Sequence, residues 1–333
     1  DSERGTFAHR HMVLHDTKTG EKYCVMHGLR DAKASFDIRN SPLSEVGALG
    51  FEYGYSVQSP ETLVIWEAQF GDFANVAQVM FDQFISSARA KWGEQSSIVL
   101  LLPHGYEGAG PEHSSARLER FLQMAAENNW IVAYVTSSAQ FFHLMRRQVA
   151  MKGTDAARPL VLMTPKSSLL RNERVASPIE EFANGHFEPL RKQPNLEVNQ
   201  KKAKRLLLGS GKVMIDIEEA IDQSEENFDW LSAYRVEQLY PFPKKELEQV
   251  ISELPNLEEI VWVQEEPKNM GGWYFVAEYL QELLKDGQTL RCISRPRRSS
   301  PAVGNPHVHK FYQNNIVKEA ITPSEGGKSS EGH

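Results

Sequence analysis

Four short apolar runs separated by amphipathic stretches, between residues 62 and 167, limit the folds open to this chain more than any other feature. The runs "TLVIWEAQ" (62–69), "SIVLLLPHG" (97–105), "WIVAYVTS" (130–137) and "RPLVLMTPKS" (158–167) are apolar, partly β-branched, and end in polar or glycine-bearing loops, so they read as strands. Between the first two, "FANVAQVMFDQFISSARAKWG" carries Phe73, Val76, Val79, Met80, Phe84 and Ile85 at helical spacing. "SSARLERFLQMAAENN" (114–129) reads as a second helix, capped by Ser114 or Ser115, with Leu118, Phe121, Leu122 and Ala125 on one face. "AQFFHLMRRQVAM" reads as a third. Unbroken apolar strands alternating with helices predict an α/β fold whose parallel sheet is covered on both faces.

From about residue 168 to 203 the rhythm fails. The segment is polar, contains Pro178, Pro189 and Pro194, and ends in a Lys/Arg run. The alternation then restarts at "KRLLLGSG" and runs through "VMIDIEEAIDQS", "LSAYRVEQLYPFP", "KKELEQVISELP", "EEIVWVQEE", "GWYFVAEYLQELLKD", "TLRCISRP" and "VHKFYQNNIVKEAI". This predicts one α/β domain over 1–185, a linker over 186–203, a second and smaller α/β domain over 204–321, and a disordered tail over 322–333. A length of 333 residues suits two domains.

The bulk chemistry excludes some function classes. A net charge of −7 argues against non-specific nucleic-acid binding, which needs a basic face; "RKQPNLEVNQKKAKR" and "RPRR" are short enough to be solvated surface. No stretch is long and apolar enough to span a bilayer. Cys24 and Cys292 lie far apart and make no metal-ligand spacing, which reads as free thiols in a reducing compartment. The start, "DSERGTFAHRH", has neither an initiator Met nor a secretory apolar core, and reads as the middle of a longer chain.

In parallel α/β sheets ligands gather outside the carboxyl ends of the strands, which directs attention to "SPLSE" (41–45), "WEAQFGDF" (66–73) and "PHGYEGAGPEHSS" (103–115). Glu45 reads either as a first-turn carboxylate favoured by the helix dipole or as a carboxylate held in apolar surroundings and suited to sharing a proton. Phe70 and Phe73, beside Gln69, are either core aromatics or a stacking wall for a flat heterocycle. His104, Glu107, Glu112 and His113 form a general acid–base candidate set on what could equally be a surface loop. His9, His11 and His15 resemble metal ligands, but nothing completes the set. "LGSGKV" (208–213) lacks the phosphate-loop spacing, because Val213 follows Lys212, and reads as a strand-to-helix glycine turn.

Together, "WEAQFGDFAN", "LLPHGYEGAGPEHSSARLERFLQ", "PKSSLLR", "RVEQLYPFP", "VQEEPKNMGGWY" and "SPAVGNPHVH" resemble the C-terminal part of the thiamine-dependent 2-oxoglutarate dehydrogenase decarboxylating component, from about residue 4 to about residue 320. "SPLSEVG" is more distantly similar to pyruvate dehydrogenase beta chains and to transketolase. The resemblance implies a transketolase-like pyrimidine-binding domain followed by a transketolase C-terminal-type domain. It implies that Glu45 hydrogen-bonds the aminopyrimidine of thiamine diphosphate and so activates the cofactor, that Phe73 stacks on that ring with Gln69 and Leu43 nearby, and that His113 positions substrate or moves protons. His104 is carried over as a further catalytic candidate. The implied partners are the lipoyl domain of a dihydrolipoyl succinyltransferase and a second copy in a homodimer; the implied compartment is bacterial cytoplasm, or mitochondrial matrix in a eukaryote.

The family's diphosphate-and-magnesium motif, Gly-Asp-Gly followed some way on by Asn, is not in these residues. The resemblance therefore implies that Mg²⁺ and diphosphate ligands come from an N-terminal part of the same enzyme, and that this chain holds half a site. Two alternatives remain at this stage: a 2-oxoadipate-specific relative, or a non-catalytic dimerisation, docking or acyl-CoA regulatory unit in which Arg171 and the basic linker bind an anion.

Overall fold

Apolar residues that are consecutive rather than alternating belong to strands buried on both faces, and that is how the core is built. The computed structural model describes residues 1–324 apart from 195 and 198. A hairpin of β1 (Val13–His15) and β2 (Lys22–Cys24) precedes the helix Glu45–Gln58. Then β3 (Ile65–Glu67), β4 (Val99–Pro103), β5 (Ile131–Tyr134) and β6 (Leu160–Thr164) form a parallel sheet in the order β5-β6-β4-β3. Successive side chains point to opposite faces. Leu100, Leu102, Val132, Val161 and Met163 enter one apolar cluster, and Val99, Leu101, Ile131, Ala133, Leu160 and Leu162 another.

Downstream lie β7 (Leu190–Lys192), β8 (Arg205–Gly209), β9 (Leu231–Val236), β10 (Gln238–Tyr240), β11 (Glu259–Pro267) and β12 (Thr289–Arg295). Five of these make a second sheet ordered β12-β11-β8-β9-β7, parallel except for β7. β7 falls inside the stretch predicted as linker, and pairs with β9 from Leu190↔Val236 to Lys192↔Tyr234. Of the predicted tail, 325–333 lie outside the described residues; Ser324 accepts a hydrogen bond from Arg205 and donates one to Glu259 (2.9 and 2.8 Å).

Three predicted elements differ in the structure. "LSAYRVEQLYPFP" is not one strand. After β9 the chain leaves the second sheet, and β10 joins the first, antiparallel to β5. The buried carboxylate of Glu237 fixes this crossing by accepting hydrogen bonds from Thr136 N–H (2.7 Å) and the Thr136 hydroxyl. The predicted helix over 73–92 is broken into 3₁₀ turns at Gly71–Ala77, short α segments at Gln78–Met80 and Ala88–Trp92, and a π turn at Phe81–Ile85. Its buried stripe is Ala74, Ala77, Phe81, Ile85 and Ala88, while Val76 and Val79 are exposed. The predicted helix over 114–129 shrinks to Leu118–Gln123 and starts after Arg117, whose φ is 57°. Ser114 and Ser115 do not cap it: Arg117 holds the N-cap position, the Ser114 hydroxyl donates to the Gly110 carbonyl (2.6 Å), and both serine N–H groups donate to Asp72 Oδ1 (3.1 Å each).

One apolar cluster runs through both halves, joining Leu49, Leu100 and Trp130 to Leu206, Leu239, Trp262 and Leu280. Gly211, at the predicted glycine turn, has φ +70°, and a Cβ there would lie 2.0 Å from the ring of Tyr134 on β5. The turn is glycine because a strand of the first sheet packs on it. Lys212 then bonds Asp216 (2.5 Å) and lies 3.6 Å from Glu265. Among the described residues no helix is long and apolar enough to cross a membrane.

Candidate active site

The loops after β3 and β4 converge outside the carboxyl end of the first sheet. Phe70 ends the first loop, and its ring meets His113 of the second edge-on, with centroids 4.6 Å apart at 82°. Phe73 meets the same imidazole at 5.7 Å and 77°, and Phe70 at 5.7 Å. Phe7, from the N-terminal segment, closes the group against Phe70 at 5.6 Å. Phe7, Phe70, Phe73 and His113 are all half-buried, so the aromatic group sits at the surface of the core rather than inside it. Edge-to-face contacts of this kind favour a fixed ring orientation.

Backbone clamps hold the second loop. Lys166, buried at the end of β6, donates its ammonium hydrogens to the carbonyls of Gly105 (3.0 Å) and His113. Burial pushes the Lys166 amine below its ordinary value, against the opposing pull of Glu107 and Asp72. Glu107 accepts from the hydroxyls of Ser167 (3.0 Å) and Ser168 (2.6 Å), and Glu112 is exposed. Asp72 ties the two loops together through Ser114 and Ser115; its other oxygen, Oδ2, is buried without a hydrogen-bond partner among the described residues.

His104 does not join this group. Its ring is buried, Ala116 N–H donates to Nδ1 (3.0 Å), and Nε2 lies 2.8 Å from Glu266 Oε1 on β11. A backbone N–H can only donate, so Nδ1 is the acceptor and the ring proton sits on Nε2, pointing at the carboxylate. Burial opposes charging this ring and Glu266 favours it, with a net rise in proton affinity; the Ala116 N–H occupies the position a second ring proton would need. Burial pushes Glu266 up, but its bond to His104 brings it below the ordinary carboxylate value.

Glu45 is the first residue of the helix Glu45–Gln58, half-buried, behind an extended Ser44 whose side chain makes no capping bond. That helix packs against the Gly71–Ala77 turns that carry Phe73. Leu43 is 62% exposed, and Gln69 donates to Asp1 (3.1 Å) on the surface. Among the described residues no group of three or more His, Cys, Asp or Glu is placed to hold a metal ion.

The profile of the transketolase pyrimidine-binding domain matches residues 1–171, just over half of the chain. The chain belongs to this transketolase pyrimidine-binding family. Residues 176–321 match the 2-oxoglutarate dehydrogenase C-terminal family. Among curated relatives, the 2-oxoglutarate dehydrogenase E1 component of Oceanobacillus iheyensis is 72% identical over 333 residues, covering 100% of this chain and 35% of the relative. Those of Bacillus licheniformis and Bacillus subtilis are 59% and 57% identical over 322 residues, covering 97% of this chain and 34% of each relative. The chain thus spans about a third of the length of the curated relatives it matches.

Within this transketolase-type domain, local sequence patterns left Glu45, Phe70, Phe73 and His113 as open candidates, of which the resemblance selected Glu45, Phe73 and His113. They did not lead to Phe7, Asp72, Lys166 or Glu266. Asp72 was visible only as part of "GDF", and Lys166 only as part of "TPKSS", with nothing local to set either apart from surface charge.

Proposed function

We propose that this chain supplies the pyrimidine-side half of a thiamine diphosphate site in an enzyme that oxidatively decarboxylates 2-oxoglutarate and passes the succinyl group to a lipoyl carrier. The observation that carries the reading is the half-buried group Phe70, Phe73 and His113 beside the turns on which the Glu45 helix packs. Aromatic edges at a strand-end crevice suit a flat heterocycle, and no described residue hydrogen-bonds the Glu45 carboxylate, which leaves it available to a ring nitrogen. The names of the relatives point the same way.

When bound, thiamine diphosphate supplies the electron sink for loss of CO₂. Glu45 would hold the pyrimidine through its carboxylate and exchange a proton with it. Phe73, with Gln69 and Leu43, would hold and orient the pyrimidine ring. His113, edge-on to two phenylalanines, presents its imidazole to the substrate and moves a proton. Mg²⁺ and the diphosphate belong, in this reading, to the N-terminal part of the same enzyme.

A homodimer fits the exposed apolar face of the Glu45–Gln58 helix, where Phe51 and Tyr55 are 66% and 48% exposed. The acyl acceptor is the lipoyl domain of a dihydrolipoyl succinyltransferase, and the compartment is the bacterial cytoplasm.

The test is Glu45→Gln in the complete enzyme. The variant should fold with an unchanged circular dichroism spectrum and lose 2-oxoglutarate-dependent CO₂ release by at least a hundredfold; near-normal release would sink the assignment. This chain titrated alone with thiamine diphosphate and Mg²⁺ should release no CO₂, and should gain activity when the N-terminal part is added.

A further inference from the structure

His104 faces away from the crevice, yet it lies at the junction of the two domains and touches the loop that carries His113. We infer that Glu266, a residue of the second domain, is a positioning residue for His113 and acts through the imidazole of His104. The inference rests on the reading of His113 as the group that handles protons or substrate at the site.

Three successive amides set the course of the chain leaving His113. Ser114 and Ser115 N–H donate to Asp72, and Ala116 N–H donates to His104 Nδ1. Asp72 belongs to the same crevice, so its acceptor is fixed locally. The third acceptor exists only if the His104 proton stays on Nε2. A neutral imidazole can carry its proton on either nitrogen, and the partner of the other nitrogen decides which.

Here that partner is the Glu266 carboxylate, 2.8 Å from Nε2. Without it, the Nε2–H would be buried and unpaired, and the ring would gain by turning toward another acceptor. A turned ring would take Nδ1 away from the Ala116 N–H, and the segment from His113 to Ala116 would lose its third anchor.

The remaining contacts of His104 do not do this work. Its own N–H and carbonyl are bound by Thr164 (3.0 Å) and the Tyr134 hydroxyl (3.2 Å), which hold the backbone and do not fix the orientation of the ring. Lys166 clamps the His113 carbonyl but not the amides that follow it. Through this carboxylate the second domain reaches the backbone that follows His113.

The experiment compares Glu266→Ala and Glu266→Gln in the complete enzyme. The glutamine amide oxygen can still accept from Nε2–H, whereas alanine cannot. Glu266→Ala should lower kcat for 2-oxoglutarate-dependent ferricyanide reduction at least tenfold, with KM and thiamine diphosphate affinity within about twofold of wild type. Glu266→Gln should restore kcat to within about threefold.

An activity-independent readout is the rate at which diethylpyrocarbonate modifies His113, followed by mass spectrometry with exposed His15 as internal reference. It should change severalfold in Glu266→Ala and not in Glu266→Gln. Wild-type kcat together with wild-type His113 modification in Glu266→Ala would overturn the inference, as would equal impairment of the two variants. A uniform loss of stability and cofactor affinity without a selective fall in kcat would mark Glu266 as structural only, and would also overturn it. If Glu266→Ala does not fold, Glu266→Leu fills the space without accepting a hydrogen bond and takes its place. Absence of 2-oxoglutarate turnover in the wild-type complete enzyme would defeat the functional reading, while the modification rates would still decide the positioning role.

Discussion

Gly71 is where the two loops of the crevice press together: a Cβ there would sit 2.4 Å from the Cβ of Ala116 and 2.6 Å from the carbonyl oxygen of Pro103. Gly71→Ala is expected to cost about 1–3 kcal/mol by overpacking, measured as a lower thermal midpoint, and to weaken thiamine diphosphate binding by the complete enzyme. Glu259 governs a different property. It accepts from Arg205 (2.7 Å), Arg291 (2.9 Å) and Ser324 (2.8 Å). Burial pushes this carboxyl up, but the bonds from Arg291 and Arg205 bring it below its ordinary value near 4.5. Its contribution to stability is therefore complete above the unfolded value and is lost as pH falls through the depressed folded value. Denaturant unfolding between pH 6 and pH 3 should show a steeper loss for wild type than for Glu259→Gln, which should already be destabilised by about 3–5 kcal/mol at pH 7 because two arginines lose their counter-charge. Burial also pushes the Cys292 thiol up to about 12. At pH 8 iodoacetamide should label Cys292 at least a hundredfold more slowly than a small free thiol.

The helix Glu45–Gln58 contains Gly47, Gly50 and Gly54, each worth about 1 kcal/mol less helix stability than alanine. In the homodimer proposed above, a second copy would cover Phe51 and Tyr55 and so stabilise a helix that carries three glycines. Phe51→Glu should shift the complete enzyme from dimer toward monomer in sedimentation velocity; an unchanged dimer would place the interface elsewhere. Elements marked by a continuous local pattern were legible in sequence: the strands β4, β6, β8 and β11 and the helices Ser138–Met151 and Lys212–Asp222 stand close to where that pattern put them. Elements shaped by one distant side chain were not. Asp72 holds the Ser114 and Ser115 amides in the loop ahead of a helix that starts only at Leu118, and Glu237 turns one apolar run into two strands of different sheets. The candidate site divides the same way. Glu45 and His113 stand in recognisable strings, whereas the His104–Glu266 bond joins residues 162 positions apart, and no local pattern announces it.

The two domains share one apolar cluster and exchange a strand, so they should unfold together. Residues 1–185 expressed alone would lack β10 and leave the edge of β5 open, along with the apolar surface that Leu239 and Tyr240 cover. That piece should aggregate where residues 1–324 stay in solution, as light scattering at matched concentration would show; a stable soluble 1–185 would mean that β10 is dispensable. The strand exchange also has a consequence in time. During synthesis β6 leaves the ribosome with β10 still more than seventy residues away, so at 5–20 residues per second the first sheet waits roughly 4–15 s for its last strand. Over that interval the nascent chain carries an unpaired edge on β5, and the completion of its amino-terminal domain is timed by the translation of its carboxy-terminal one.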